Sequence, residues 1–103
     1  MKINRYKKKL PFLNKTVIIC GGSKGIGKET SKLIAELGGN LCIIARGRED
    51  LESTAMICKE LQASDQQYIE TIISDTTQKN HLEAQIHTFI ENHGIPDYLL
   101  NIV

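Results

Sequence analysis

Long apolar runs are absent from this sequence of 103 residues, and that absence argues against a membrane-spanning protein. A spanning helix needs at least about 18 consecutive apolar residues, and no run approaches that length. No apolar segment follows the basic start either, so residues 1–13 are not expected to be a secretory signal. With 41% apolar and 24% charged residues, the composition is that of a globular chain. We expect one small domain located in the cytoplasm.

Cysteine pairs and histidine clusters are also lacking. The three cysteines make an odd number and include no Cys-x-x-Cys pair, so a disulfide framework is not expected. The three histidines are spaced by six residues, which turns them away from one another on a helix, so no metal site is expected. Each cysteine lies in an apolar stretch and is predicted to be a small buried side chain: Cys20, Cys42 and Cys58.

The formal net charge of +1 conceals an uneven distribution of charge. Six of the 13 lysines and arginines lie in the first fifteen residues, where no acid occurs. We interpret residues 1–13 as a basic arm, a solvated terminus that keeps the chain soluble. The alternative is an arm that contacts phosphates or an anionic membrane surface, giving peripheral membrane association. Nucleic acid is not an expected partner, because there is no aromatic ladder and no second basic cluster.

Short apolar runs alternate with helical patterns along the rest of the chain. Four runs are predicted to be strands: residues 16–20, 41–45, 68–74 and 97–103. Between them, apolar residues recur at helical spacing, with Thr77 as the expected N-cap of the third helix and Gly94 as its end. The order β-α-β-α-β-α-β predicts an α/β fold, a doubly wound parallel sheet with helices on both faces.

A glycine-rich turn, Cys20-Gly-Gly-Ser-Lys-Gly-Ile-Gly27, joins the first predicted strand to the first predicted helix. Glycines are needed there if the chain reverses tightly, if a ligand's phosphates approach the backbone, and if the helix packs closely on the strand. The helix N-terminus then presents free N–H groups and a positive dipole end to an anion. The turn therefore predicts a nucleotide site, with a purely structural turn as the alternative.

A second phosphate-binding motif is almost complete in the same turn. Gly22-x-x-x-x-Gly27-Lys28 has the spacing of a P-loop, which next requires Ser or Thr to hold magnesium. Glu29 occupies that position, and its carboxylate would lie beside the phosphates that it should help to bind. A P-loop phosphotransferase is therefore the less favoured interpretation.

The stretch Gly21-Gly-Ser-Lys-Gly-Ile-Gly27 resembles the cofactor turn of the short-chain dehydrogenase/reductase family. Three further residues lie where that family's pattern expects them. Arg46 ends the second strand, Asp75 follows the third, and Asn101 takes the first place of an Asn-Asn-Ala-Gly-like motif on the fourth. The resemblance covers residues 13–103 and implies a Rossmann-like sheet with strand order 3-2-1-4. Within the family, the turn together with Ile-Ala-Arg46 is most similar to the 3-ketodihydrosphingosine reductase branch.

The resemblance implies roles for the residues of the glycine turn. Gly21, Gly25 and Gly27 would let the phosphates of a nicotinamide dinucleotide approach the backbone. Ser23 and Lys24 would project beside the adenosine ribose. The turn would therefore hold the adenosine diphosphate half of the cofactor.

Roles for residues beyond the glycines follow from the same resemblance. Ile26 would head the first helix beneath the pyrophosphate. Arg46 stands where an acid would bind the ribose of NAD and would pair with the 2′-phosphate of NADP, so NADP(H) is expected in preference to NAD(H). Asp75 would accept a hydrogen bond from the adenine amino group or cap its strand, and Asn101 would line the ribose or hold the strand end. Asp50 occupies a position where similar reductases often carry Lys.

The family's catalytic motif, Tyr-x-x-x-Lys, does not occur in this sequence, so no catalytic residue is assigned. We expect residues 14–103 to be an NAD(P)-binding Rossmann domain truncated after its fourth strand and inactive alone. The resemblance implies an oxidoreductase that reduces a small-molecule or lipid carbonyl, such as 3-ketodihydrosphingosine, by hydride transfer, and a homo-oligomer when full length. The alternative is a non-catalytic nucleotide-binding or interaction module from a truncated gene.

Overall fold

Strands and helices alternate along the chain in the computed structural model, which describes residues 10–75 and 77–102. The predicted basic arm lies outside the described residues over positions 1–9, as does position 103. The elements are β1 (Thr16–Cys20), α1 (Gly25–Glu36), β2 (Asn40–Ala45), α2 (Arg48–Leu61), β3 (Ile69–Ile73), α3 (Lys79–His93) and β4 (Tyr98–Asn101).

The strands of the described chain form one parallel sheet in the order β3-β2-β1-β4. Ile18 of β1 is in register with Cys42 of β2 on one side and with Leu99 of β4 on the other. The chain therefore builds outward from β1 to β3 and then crosses back to place β4 beside β1. The predicted order 3-2-1-4 and the predicted α/β fold are confirmed.

Both faces of the sheet are apolar, because successive residues of a strand point to opposite sides and helices cover each side. On one face, Ile19 belongs to a core with Ala35 of α1 and Leu51 of α2. On the other face, Ile44 belongs to a core with Phe89 of α3. Full burial of each such aliphatic side chain is worth about 1.5–3 kcal/mol, so β1 and β2 anchor the polar turns that follow them.

The start of the described chain packs against the end of α1. The backbone N–H of Phe12 donates to the carbonyl oxygen of Leu37 at 3.1 Å. The ring of Phe12 meets that of Tyr98 edge-on, with 6.0 Å between centroids. Gly38, with φ of 100°, lets this segment approach, since a Cβ there would lie 3.0 Å from Cβ of Leu10.

The third helix begins one residue later than predicted, because Thr77 is engaged elsewhere. Its N-cap is Gln78, and the Thr77 prediction is wrong. Both the backbone N–H and the hydroxyl of Thr77 donate to Oδ1 of Asp75, at 2.9 and 2.8 Å. These two bonds make Thr77 part of a local turn after β3, of the kind that Asp side chains commonly form, and the helix begins after this turn.

All three cysteines are buried and free, as predicted. Burial raises the pKa of the Cys42 thiol to about 12 and that of the Cys58 thiol to about 11. Both therefore remain protonated near neutral pH and pack as small apolar side chains. Across residues 10–75 and 77–102, no helix has the length and apolar character that crossing a membrane requires.

Candidate functional site

A cleft of about 600 Å³ opens at the carboxyl ends of the parallel strands. Its walls come from the turn after β1, the ends of β2 and β3, the first turn of α2 and the end of β4. The lining residues are Gly21, Ser23, Lys24, Ile44, Ala45, Arg46, Gly47, Asp50, Ser74, Asp75, Thr77 and Ile102. Open α/β sheets bind ligands at this edge, where the strand order turns back.

The glycine turn forms one wall of the cleft and depends on its glycines for two reasons. Gly21 and Gly25 have positive φ, at 87° and 52°, which L side chains rarely adopt. Gly27 instead permits close packing, because a Cβ there would lie 2.0 Å from the carbonyl oxygen of Gly21. The glycines that sequence reasoning singled out therefore lie in one turn that only glycine can form.

The N-terminus of α1 points free backbone N–H groups out of this turn. Lys24 is the N-cap and makes no side-chain capping hydrogen bond, and the first turn contains no acid. The orphan N–H groups and the positive end of the helix dipole thus remain available to an anion. Ile26, also in the first turn, is 76% exposed, an apolar side chain beside this polar edge.

Two buried hydroxyls that sequence reasoning missed hold the glycine turn in place. Thr54 of α2 donates its hydroxyl to the carbonyl oxygen of Ser23 at 3.2 Å. Ser31 of α1 donates to the carbonyl oxygen of Gly27 at 2.9 Å. The sequence does contain a signal for these two hydroxyls, because both belong to small polar residues on otherwise apolar helix faces. Thr54 bonds a backbone atom of another segment, which a periodic pattern does not reveal, whereas Ser31 bonds a carbonyl four residues earlier on its own helix.

Two cations stand at the margin of the cleft, and each is paired with a carboxylate. Nζ of Lys24 lies 3.3 Å from Oδ2 of Asp50 in the first turn of α2. Nη1 of Arg46 lies 3.6 Å from Oδ2 of Asp75 after β3. The Lys24 and Arg46 side chains are 79% and 76% exposed, so both pairs are weak and can be rearranged by a ligand. Arg48, a further basic residue here, pairs with Glu52 on α2.

Asp75 organises the turn after β3 and also lines the cleft. Its Oδ1 accepts the hydrogen bonds from Thr77, so it organises the turn after β3. Its Oδ2 faces Arg46 and the cleft. The hydrogen bonds from Thr77, and then the charge of Arg46, lower the pKa of this carboxyl below its usual range. Asp75 is therefore ionised near neutral pH and presents an acceptor to the cleft.

Ser74 is the cleft residue whose position sequence reasoning did not anticipate. It is only 4% exposed, and its Oγ has no hydrogen-bond partner among the described residues. A buried hydroxyl left unpaired costs about 1–3 kcal/mol, so a ligand that bonds it recovers that cost. At the other side of the cleft, Asn101 is in register with Cys20, and the N–H of Ile102 donates to the carbonyl oxygen of Cys20 at 2.9 Å.

A parallel sheet, a glycine turn at an uncapped helix and a cleft at the reversal of strand order define the Rossmann class of dinucleotide-binding domains. The family model described as short chain dehydrogenase matches residues 15–103. The chain belongs to that family of oxidoreductases, whose members bind a nicotinamide dinucleotide.

Relatives of this chain come from more than one branch of the family. A 3-oxoacyl-(acyl-carrier-protein) reductase of Chlamydia trachomatis is 32% identical, over 87% of this chain and 35% of the relative. A 3-ketodihydrosphingosine reductase of Aspergillus fumigatus is 30% identical, over 84% of this chain and 24% of the relative. The chain thus spans between a quarter and about a third of these relatives' lengths. The predicted closeness to the 3-ketodihydrosphingosine branch is one of several such similarities.

A solved structure with the same fold is a short-chain dehydrogenase/reductase from Caenorhabditis elegans, described as containing its cofactor. It is 36% identical, with a TM-score of 0.75, over 85% of this chain and 32% of that one. The cleft described above therefore lies in a fold that holds a cofactor in a related protein.

Proposed function

We propose that this chain is the NADP(H)-binding portion of a short-chain oxidoreductase that reduces a carbonyl group by hydride transfer. The observation that carries the proposal is the pair of cations at the margin of the cleft. Arg46 directly follows β2, where an acid would bind the ribose hydroxyls of NAD, and Lys24 lines the same cleft from the glycine turn. Two cations at one margin favour a phosphate group over a hydroxyl there.

The remaining cleft residues fit the other parts of such a dinucleotide. The uncapped N-terminus of α1 would bind the diphosphate through its N–H groups, with Ile26 beside it. Oδ2 of Asp75 and the unpaired hydroxyl of Ser74 would bond polar atoms of the adenine base, and Asn101 would border a ribose. These assignments use a buried orphan hydroxyl and a glycine turn with no room for a side chain at Gly27, both features of a site shaped for a ligand.

A bound nicotinamide dinucleotide supplies or accepts the hydride in this chemistry. The residues of this chain bind and orient it, through the N–H groups of α1 and the cations of the cleft. No Tyr-x-x-x-Lys pair occurs in the sequence, so the proton donor of the proposed reaction is not among these residues. We assign this chain the cofactor-binding role alone.

The proposed substrate of the whole protein is a 3-oxo compound. The support comes from two relatives, one a reductase of 3-oxoacyl groups and the other a reductase of 3-ketodihydrosphingosine. Both descriptions specify reduction of a keto group at position 3. The lipid 3-ketodihydrosphingosine is the more specific form of this proposal.

Titration of the chain with NADPH, NADH and magnesium ATP tests the proposed function. We expect NADPH to bind more tightly than NADH, and Arg46→Gln to weaken NADPH about tenfold while changing NADH by less than twofold. Tenfold lies at the low end for a hydrogen bond to a charged group, because Arg46 is exposed and already partnered by Asp75. Lys59→Gln, an equal loss of charge in the last turn of α2, is the control and should change neither affinity.

The outcomes separate the candidate functions. An absence of binding to either dinucleotide would overturn the proposal. Magnesium-dependent binding of ATP in its place would support the P-loop interpretation. Equal weakening by Arg46→Gln and Lys59→Gln would show that the preference reflects overall charge rather than a contact of Arg46.

A further inference from the structure

A carboxylate occupies the cationic margin of the cleft in a way that opposes its proposed ligand. Asp50 lines the cleft from the first turn of α2, and its Oδ2 lies 3.3 Å from Nζ of Lys24. The positive end of the α2 dipole favours an acidic side chain at this place, irrespective of Lys24. Lys24 is 79% exposed, and its flexible stem would allow it to turn to another anion.

We propose that Asp50 is a specificity-determining residue that weakens the preference of this cleft for a 2′-phosphorylated dinucleotide by holding Lys24. The inference rests on the proposed function, since it concerns how the same cleft distinguishes NADP(H) from NAD(H). A 2′-phosphate must draw Lys24 away from Asp50 before Lys24 can pair with it, whereas a 2′-hydroxyl does not compete for Lys24. Asp50 therefore penalises one ligand and leaves the other unaffected.

The other acids near the cleft are less suited to this role. The Asp75 carboxylate is held by both donors of Thr77, so its position serves the turn after β3 as well as Arg46. Glu52 pairs with Arg48 four residues earlier on α2 and does not line the cleft. Asp50 is the cleft acid that pairs with a flexible lysine on the glycine turn, so removing its carboxylate frees a cation for a ligand.

The test compares two small probes that differ only by the 2′-phosphate, adenosine 2′,5′-bisphosphate and adenosine 5′-monophosphate. We expect Asp50→Asn to tighten binding of the bisphosphate about threefold to fivefold, the range of an exposed ion pair, and to change the monophosphate by less than twofold. Raising the salt concentration should reduce the gain, because exposed charges are screened. Asp50→Ser is a second variant expected to give the same result.

Glu49→Gln provides the matched control. Glu49 lies next to Asp50 in the same helical turn and is exposed, but it does not line the cleft. Replacing Glu49 with Gln changes the net charge by the same amount as Asp50→Asn. We expect Glu49→Gln to leave the affinities for both probes within twofold of the wild type. In a Lys24→Met background, Asp50→Asn should give no further gain, since the two residues act as a pair.

Three results would overturn the inference. They are an unchanged bisphosphate affinity in both Asp50 variants, an equal gain in Glu49→Gln, and a full gain that persists in the Lys24→Met background. If the wild type binds both NADPH and NADH in any of these cases, the inference fails while the proposed cofactor class stands. If the wild type binds neither dinucleotide, the proposed function is overturned and the inference with it.

Discussion

Replacing Gly27 with Ala tests the packing of the glycine turn most directly. The added Cβ would lie 2.0 Å from the carbonyl oxygen of Gly21 and 2.9 Å from Cα of Gly22. Both atoms belong to the backbone, so the clash cannot be relieved by rotating a side chain. Overpacking of this kind costs about 1–3 kcal/mol or more, whereas Ala in a helix gains about 1 kcal/mol over Gly. The cost of the clash should exceed the gain in helix propensity, so α1 should shift away from the turn.

We expect Gly27→Ala to lower the free energy of unfolding by about 2 kcal/mol, which is a fall in Tm of roughly 8–16 °C for a domain of this size. Thermal denaturation followed by circular dichroism measures this fall in Tm. Titration at low temperature should show that the affinity for NADPH is reduced at least tenfold, because α1 carries the N–H groups of the site. Gly47→Ala is the control for stability. A Cβ added at Gly47 would meet nothing within 4 Å, and the φ of this residue is −89°. Gly47→Ala should therefore lower the free energy of unfolding by less than about 1 kcal/mol. A Gly27→Ala protein with unchanged Tm and unchanged NADPH affinity would refute the reasoning.

Two further predictions concern the β3 side of the cleft. Ser74→Ala should weaken NADPH and NADH by the same factor, about threefold to tenfold, without lowering the free energy of unfolding, because the hydroxyl has no described partner to lose. Titration and chemical denaturation of the same samples check this, and a loss of stability without a loss of affinity would contradict it. Because the pKa of Asp75 is lowered by folding, its stabilising contribution should be complete above the ordinary value of 3.8 and be lost as the pH falls through the lower folded value. Denaturation between neutral pH and about pH 3 should therefore show a shallower loss of stability in Asp75→Asn than in the wild type, and identical slopes would count against the described contacts.

The alternation of strands and helices could be predicted because it depends on local patterns. The runs around Ile18 and Ile44 are apolar enough to be buried on a sheet covered from both sides, and glycines flank the helices. The observed β1 matches residues 16–20 as predicted, and the other boundaries differ by a few residues. The third helix begins one residue later than predicted because Asp75, two positions before Thr77, draws Thr77 into a local turn.

The sequence by itself determined the class of fold and the glycine turn, because strand periodicity and glycine spacing are properties of neighbouring residues. It also indicated that Arg46 and Asp75 follow adjacent strands. Only the tertiary structure decided that these two side chains pair with each other, that Lys24 pairs with Asp50, and that the Ser74 hydroxyl is buried without a partner. Such contacts depend on side-chain rotamers and on where separate strands and helices bring their ends together, and neither is encoded in the spacing of residues along one segment.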